Sequence, residues 1–245
     1  MQHRSEILDI ILQETVSYVQ SGKSPHVIFD LDDTIFDAGS RTRHILLEVA
    51  QSENIKEACP EFYDRLKALT NDDIRYRVED NLNMLGVTEH WIRQSATKTW
   101  WDKFFLMCDI DEVVPGAPQF VRELHAAGAT IIYLTGRDRL RMQSATHKSL
   151  AKHGFPYDER AMLRLKPEAS HCDFKFKREE VTGLAATDLI VAAFDNEPRH
   201  VNMIKETVPE AHVVFVDRRH AGHPEVPHSS IVWIREFGGH PTKPK

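Results

Sequence analysis

Long apolar runs are missing from this sequence: no window holds the roughly 18 uncharged apolar residues that a membrane crossing needs. Cysteine is scarce. Cys59, Cys108 and Cys172 are odd in number, far apart and without CxxC spacing. That pattern suggests neither a disulfide framework nor a structural zinc site, and it fits a reducing cytoplasm. An excess of positive charge is lacking too. The formal net charge of -6 argues against a chain whose main task is to grip duplex DNA or an anionic membrane surface. A small phosphorylated solute stays compatible, because one local metal ion and one lysine outweigh the global sign. Glycine and proline, 11 and 12 residues, stay below the level of a disordered chain. There is no internal repeat, and the one biased segment is the Pro/Lys tail, His240 to Lys245.

What is present reads as a globular chain of 245 residues, long enough for one domain or one domain carrying an insertion. Its opening stripe, Ile7, Leu8, Ile10, Ile11, Leu12, Val16 and Val19, is interrupted by Asp9 and Glu14. These acids break any continuous apolar h-region, so the segment reads as an amphipathic helix and not a signal peptide. After the break Ser21 to Pro25, the run His26 to Leu31 turns abruptly acidic at Asp30, Asp32 and Asp33, as a buried strand ending in a polar loop does.

From about Gly39 to about Asp111 the spacing is helical throughout, with Ile45, Leu46, Phe62, Leu66, Trp100 and Phe104 among its apolar positions. Beyond Pro115, helices and strands alternate. Strands are expected at Thr130 to Leu134, Met162 to Leu165, Leu189 to Phe194, His212 to Val216 and Ile231 to Ile234; helices are expected at Pro118 to Ala127, Leu140 to His153, Arg178 to Ala186 and Arg199 to Thr207. Alternation of this kind implies parallel pairing with right-handed crossovers. The expected fold class is α/β, a Rossmann-like three-layer core with a parallel sheet, built from residues 1-38 and 112-245. An all-helical insertion at 39-111 interrupts it.

Functional groups of such a sheet collect beyond the carboxyl ends of its strands. Three strand ends carry polar clusters: Asp30-Leu31-Asp32-Asp33-Thr34, Thr135-Gly136-Arg137 and Asp195-Asn196-Glu197-Pro198. A fourth element, Lys175 or Lys177, precedes an expected helix. Three acids directly against a buried apolar strand repel one another unless a cation or strong hydrogen bonds sit among them. A plain turn is therefore a poor account of Asp30 to Thr34.

Together and in this order, these four clusters resemble the motifs of the haloacid dehalogenase-like superfamily, the aspartate-nucleophile phosphatases. The helical segment resembles the variable cap that many members insert after the first motif. The resemblance implies that Asp30 is the nucleophile, since a carboxylate held in line with phosphorus can form an acyl phosphate once the phosphate charge is neutralised. It implies that Asp32 protonates the leaving group and later activates water. Dehalogenating members generally lack an acid at that position, so Asp32 points to a phosphatase. Thr135 and Gly136 are implied to hold phosphate oxygens, with helix capping by Thr135 as the bland alternative. Lys177 is implied to tie the nucleophile to the phosphate, with Lys175 as its rival. The implied cofactor is Mg2+, held by Asp30, Asp195, the backbone carbonyl of Asp32 and a phosphate oxygen. Many members carry a second Asp or a Gly-Asp pair beside Asp195; here Asn196 and Glu197 stand there, as outer metal partners or as capping residues ahead of Pro198. Arg137 is open between a substrate contact and a solvated surface.

The expected activity is Mg2+-dependent hydrolysis of a small phosphorylated metabolite in the cytoplasm, with no membrane partner. A nucleic-acid end phosphatase, a phosphotransferase of the same fold and a non-catalytic binding module stand as alternatives. Other signals carry less. His220, His223 and His228 lie among Gly and Pro without a neighbouring Cys, as in a surface loop. Trp91, Trp100 and Trp101 fit the core of the insertion, and Asp72 to Asp80 fit a solvated helix face.

Overall fold

The computed structural model describes residues 5–238, so the tail His240 to Lys245 and the outermost ends of the expected core lie outside the described residues. Helix α1 (Glu6–Gln20) leads into β1 (Pro25–Phe29). A two-residue strand β2 (Phe36–Asp37) opens a helical segment of α2 (Ala38–Ala50), α3 (Glu53–Ala58), α4 (Pro60–Ala68), α5 (Val78–Met84) and α6 (His90–Phe104). The chain returns through β3 (Glu112–Val113). It then alternates: α7 (Ala117–Ala126), β4 (Thr130–Asp138), α8 (Arg139–Lys152), β5 (Ala161–Lys166), α9 (Asp173–Thr187), β6 (Leu189–Asp195), α10 (Pro198–Thr207), β7 (His212–Val216) and β8 (Val232–Ile234).

Six strands form one parallel sheet in the order β5-β4-β1-β6-β7-β8, the α/β Rossmann-like architecture expected. Strand alternation explains its two faces. Val27 and Phe29 of β1, Ile131 and Tyr133 of β4 and Phe194 of β6 share a cluster with Leu8 and Ile11 of α1 and Phe120 and Leu124 of α7. Ile28, Ile132 and Ala193, one position out of phase, join the opposite cluster with Val181 of α9 and Val201 and Ile204 of α10. Both faces are covered, which is why these strands read as near-continuous apolar runs. Phe29 and Phe194 stack at 4.7 Å beneath the carboxyl ends of their strands, a rigid floor directly under the acids that follow.

The helical segment has its own apolar cluster, including Ile45, Leu46, Phe62, Leu66, Leu82 and Ile92, separate from those of the sheet. It leaves and re-enters the core through an antiparallel stem in which Phe36 pairs with Val113 and Asp37 with Glu112. Two readings of this region need correction. Asp72 to Asp80 is not one helix face: a short turn over 71–73 is followed by an extended stretch, and α5 begins only at Val78, because Asn81 binds the backbone of Arg75 and Arg77 and holds that stretch out of the helix. Trp101, 56% exposed, and Trp91, 43% exposed, are not core, whereas Trp100 at 9% is. Among the described residues no helix is long and apolar enough to cross a membrane.

Candidate active site

Asp30 follows β1 directly, and its backbone amide continues the pairing by donating to the carbonyl of Phe194. Its side chain is therefore fixed beside that of Asp195, which ends the neighbouring strand β6. Lys177 reaches the pair from α9: its Nζ donates to Asp30 Oδ1 at 2.6 Å and to Asp195 Oδ2 at 2.7 Å. This separates the two candidate lysines. α9 starts at Asp173, earlier than its apolar spacing suggests, because a buried lysine occupies a position on its inner face. On a helix, residues two apart point in divergent directions. Lys177 is 3% exposed against the site, while Lys175 points to solvent and reaches Glu179.

The charges of this triad are unequal. Burial pushes the Asp30 carboxyl up to about 7, with Lys177 pulling it down and Asp195 adding to the rise. Burial also opposes ionisation of Asp195, but Lys177 and then His200 outweigh it and hold that carboxyl well below the usual range. One lysine thus serves two buried carboxylates, and Asp30 is the one left short of positive charge. The donors are oxygens throughout, the chemistry that a hard divalent cation takes. The residues fit Mg2+ only sparsely. Among the described residues no group of three His, Cys, Asp or Glu converges as a metal cage, so protein carboxylates would supply two ligands, and backbone, water and phosphate the rest.

Asp32 is held differently. Arg137 Nε donates to its Oδ2 at 2.8 Å, and Arg137 Nη2 and Arg41 Nη2 donate to its Oδ1 at 2.8 and 2.7 Å. Behind them Asp111 accepts from Arg41 Nε and Nη2 and from Arg137 Nη2, at 2.6 to 2.8 Å. Burial works against the Asp32 charge, but Arg137 and then Arg41 hold its carboxyl far below the ordinary carboxylate range. In this arrangement Asp32 carries no proton to give. Sequence reasoning did not single out Arg41 or Asp111. Arg41 had a signal, a charge at helical spacing on the apolar stripe of Ile45 and Val49; Asp111, at the end of the insertion, had none. Arg137 is 2% exposed, which removes the solvated alternative.

Thr135 and Gly136 lie within β4 and line the same cavity. Thr135 Oγ1 accepts from the Arg137 amide, and it is Asp138 that caps α8 by accepting from the Arg141 amide. A Cβ at Gly136 would sit 2.5 Å from Asp173 Oδ2, so a side chain there would push the Asp173 carboxylate aside. Asn196 accepts from Thr34 Oγ1, which also donates to Asp30 Oδ2. Glu197 precedes α10 without capping it: its Oε1 accepts from the Ala221 amide, its Oε2 is buried without a hydrogen-bond partner, and burial pushes its carboxyl up to about 7.

Asp33 has a φ of 57°, a strained value for a residue with a side chain, and is held by its partners: its Oδ1 accepts from the Ala38 amide and from Arg219. Arg219 also binds Asp37 and the carbonyl of Asn71, and Arg218 binds Asp37 and Asp72. Asp33 therefore braces the loop, at the edge of the same cavity that Asp30 and Asp32 line. The two arginines after β7, which the sequence did not mark out, tie the start of the insertion to the core.

All six residues expected in the site, Asp30, Asp32, Thr135, Gly136, Lys177 and Asp195, are drawn to one end of the sheet around a cavity of about 330 Å3. Its floor is the acids, Thr135 and Lys177; its walls come from α2, α6 and the stretch before α5.

A search of curated proteins returns no match. Among solved structures, the "Putative Phosphatase from Clostridium difficile" is 14% identical with a TM-score of 0.52, over 83% of this chain and 89% of that one. A class C acid phosphatase from Bacillus anthracis is 17% identical with a TM-score of 0.39, over 84% and 72%. A chain of the Pnkp1/Rnl/Hen1 RNA repair complex is 15% identical with a TM-score of 0.47, over 81% of this chain, which spans only 44% of that one. These similarities concern the fold. A sequence model of the haloacid dehalogenase-like hydrolases matches residues 25–170, from the first residue of β1 past the end of β5. It takes in Asp30 to Thr34 and Thr135 to Arg137 and stops before Lys177 and Asp195, the two later motif residues that their contacts with Asp30 bring into the site. Because that match spans more than half of the 245 residues, the chain belongs to the haloacid dehalogenase-like hydrolase family.

Proposed function

We infer that the protein is a phosphohydrolase that cleaves small phosphate monoesters through a phosphoryl group carried on Asp30. The observation that carries this reading is the triad: a buried carboxylate, short of positive charge, tied by one lysine to a second buried carboxylate at the floor of a cavity. Such a carboxylate calls for added positive charge, which a divalent cation bound together with the substrate phosphate would supply. Asp30 and Asp195 would hold Mg2+ with the Asp32 carbonyl; when bound, the ion would neutralise charge on the phosphate as the new P–O bond forms.

An Asp30 oxygen attacks phosphorus as the ester P–O bond breaks, and the departing oxygen takes a proton. Water then attacks phosphorus, breaking the Asp30–phosphate bond and releasing inorganic phosphate. Lys177 positions Asp30, and Thr135 with the Gly136 backbone offers hydrogen bonds to phosphate oxygens. The helical insertion acts as the cap that excludes water and selects the leaving group. Acid quenching during turnover of a generic ester with Mg2+, followed by mass spectrometry, is expected to find a phosphoryl adduct on Asp30. Turnover with the adduct on another residue would overturn the assignment.

Asp32 acts as acid only after Arg137 turns. An incoming phosphate ester competes for the guanidinium of Arg137, which lines the cavity, and as the grip on Asp32 loosens its carboxylate takes a proton from solvent or from the ester monoanion and passes it to the departing oxygen. Asp32→Asn is therefore expected to slow a simple alkyl phosphate by roughly 10²- to 10⁴-fold and para-nitrophenyl phosphate, whose leaving group needs no proton, far less. Equal losses for both esters would remove leaving-group protonation from Asp32.

A further inference from the structure

Above the acids the cavity changes character. One wall is built from the end of α6, where Trp100, Trp101, Phe104 and Phe105 all line it, and Tyr76 lines it too, from the stretch before α5. These rings are fixed from behind. Arg41 lies 4.2 Å from the centre of Phe104 and Arg141 3.9 Å from that of Phe105. Trp100 donates to Thr42 Oγ1 and stacks on Phe104 at 4.3 Å. Trp101 stacks on Phe105 at 5.7 Å and meets Trp100 edge-on at 5.0 Å. Yet Trp101 is 56% and Tyr76 50% exposed, so large aromatic surface is held rigid and left open inside a cavity whose floor is polar.

Trp101 is not explained by core packing, and aromatic surface presented in a pocket is the usual way to bind a flat ring. The rim adds polarity of both kinds. Arg75 and Arg77 line the rim, Arg75 within the electrostatic reach of Asp73, and Glu79 stands beside them. Donors and an acceptor around a stacking surface suit the edge of a nucleobase better than a bare phenyl ring. At about 330 Å3 the cavity lies at the lower end of the roughly 300–1,000 Å3 common for small-molecule sites, room for one nucleoside but not for a run of stacked nucleotides.

We propose that the leaving group is a nucleoside: the substrate is a nucleoside monophosphate whose phosphate meets Asp30 while its base stacks on Trp101 between α6 and Tyr76. This rests on the phosphohydrolase reading of the same site and names its substrate class. The reaction that supplies such a substrate is one that leaves a phosphate on a single nucleoside; the one that follows consumes a free nucleoside.

The test compares kcat/KM for 5′- and 3′-nucleoside monophosphates, ribose 5-phosphate, para-nitrophenyl phosphate and a short oligonucleotide with a terminal phosphate. The expected result is a preference of roughly 10-fold or more for a nucleoside monophosphate over ribose 5-phosphate, carried mainly in KM, as one base–aromatic stack provides. Trp101→Ala is expected to bring that ratio towards one, and Trp101→Phe to retain most of it. Equal use of ribose 5-phosphate and nucleotides, or a ratio unchanged by Trp101→Ala, would overturn the proposal while leaving the phosphohydrolase standing. A preference for the oligonucleotide would overturn it as well, in favour of a strand end. Turnover of none of the esters would overturn the phosphohydrolase itself.

Discussion

Asp30→Asn is expected to lower kcat by about four orders of magnitude or more, the scale seen when a covalent nucleophile is removed, and at the same time to make the metal-free protein harder to melt. The two effects share one cause. Asp30 is kept nearly dehydrated beside a second carboxylate with a single lysine between them, so its ionised form is destabilised and its carboxyl is pushed up to about 7. A raised carboxyl pKa means that the folded chain binds the proton more tightly than the unfolded chain. Stability from this group is complete below about pH 4 and is lost as pH climbs towards 7. Asparagine keeps the shape and removes the charge, leaving Lys177 to pair with Asp195 alone.

In chelator, the variant's melting temperature is expected to exceed the wild type's by up to roughly 10 °C at pH 8 and by much less at pH 5, corresponding to up to about 4 kcal/mol at the higher pH. Added Mg2+ is expected to raise the wild type's melting temperature and to narrow the gap, since a ligand of the folded state stabilises by mass action. Substantial turnover by the variant would show that Asp30 is not the attacking group, and a melting temperature below the wild type's at pH 8 would show that it is not a strained one.

For Asp111→Asn the expected outcome is the opposite, a loss of about 3–5 kcal/mol and a fall of roughly 10 °C in melting temperature. Asp111 is fully buried and faces Arg41 and Arg137, themselves at most 2% exposed. The other carboxylate of the group, Asp32, cannot balance two guanidinium charges by itself. These four residues come from the loop after β1, the first helix of the insertion, its return segment and the end of β4, so their ion pairs also join insertion to core. Calorimetric unfolding that shows a loss below about 1 kcal/mol would mean that other groups neutralise the arginines. Activity is expected to fall in parallel, because Arg137 borders the cavity.

The sheet was legible from the sequence because each strand is an apolar run of strand length flanked by amphipathic spacing, and the site because acids ended those runs. Less could be read where a residue's environment is supplied from far along the chain. Asp32 sits where the general acid of the resemblance is expected, but its proton affinity is governed by Arg137, 105 positions away. The preference for Lys177 over Lys175 required knowing that the segment was already helical, since alternation by two distinguishes residues on a strand and not on a helix. Trp100 and Trp101 are adjacent, chemically alike and both at the cavity, yet one is buried in the insertion's apolar cluster and the other leaves most of its ring open; helical spacing alone assigns both to the core. Arg218 and Arg219 lie in a loop with no periodicity, so nothing local marked them as braces of Asp33 and Asp37.

The stem formed by β2 and β3 bears on how the chain assembles. Strand β1 is made early but its partners lie far downstream, with His26 opposite Thr130 on one side and Pro25 opposite Leu189 on the other. A newly made β1 is therefore a sticky strand without neighbours, the kind of exposed edge that invites aggregation. The helices that follow it have local contacts and an apolar cluster of their own, so they can consolidate while the rest of the polypeptide is still being synthesised. Closing Phe36 against Val113 then returns the chain beside β1, and β4 is delivered to its partner across a short gap rather than across the whole intervening length. The same stem that opens the wall of the cavity thereby shortens the loop that must close before β1 meets β4.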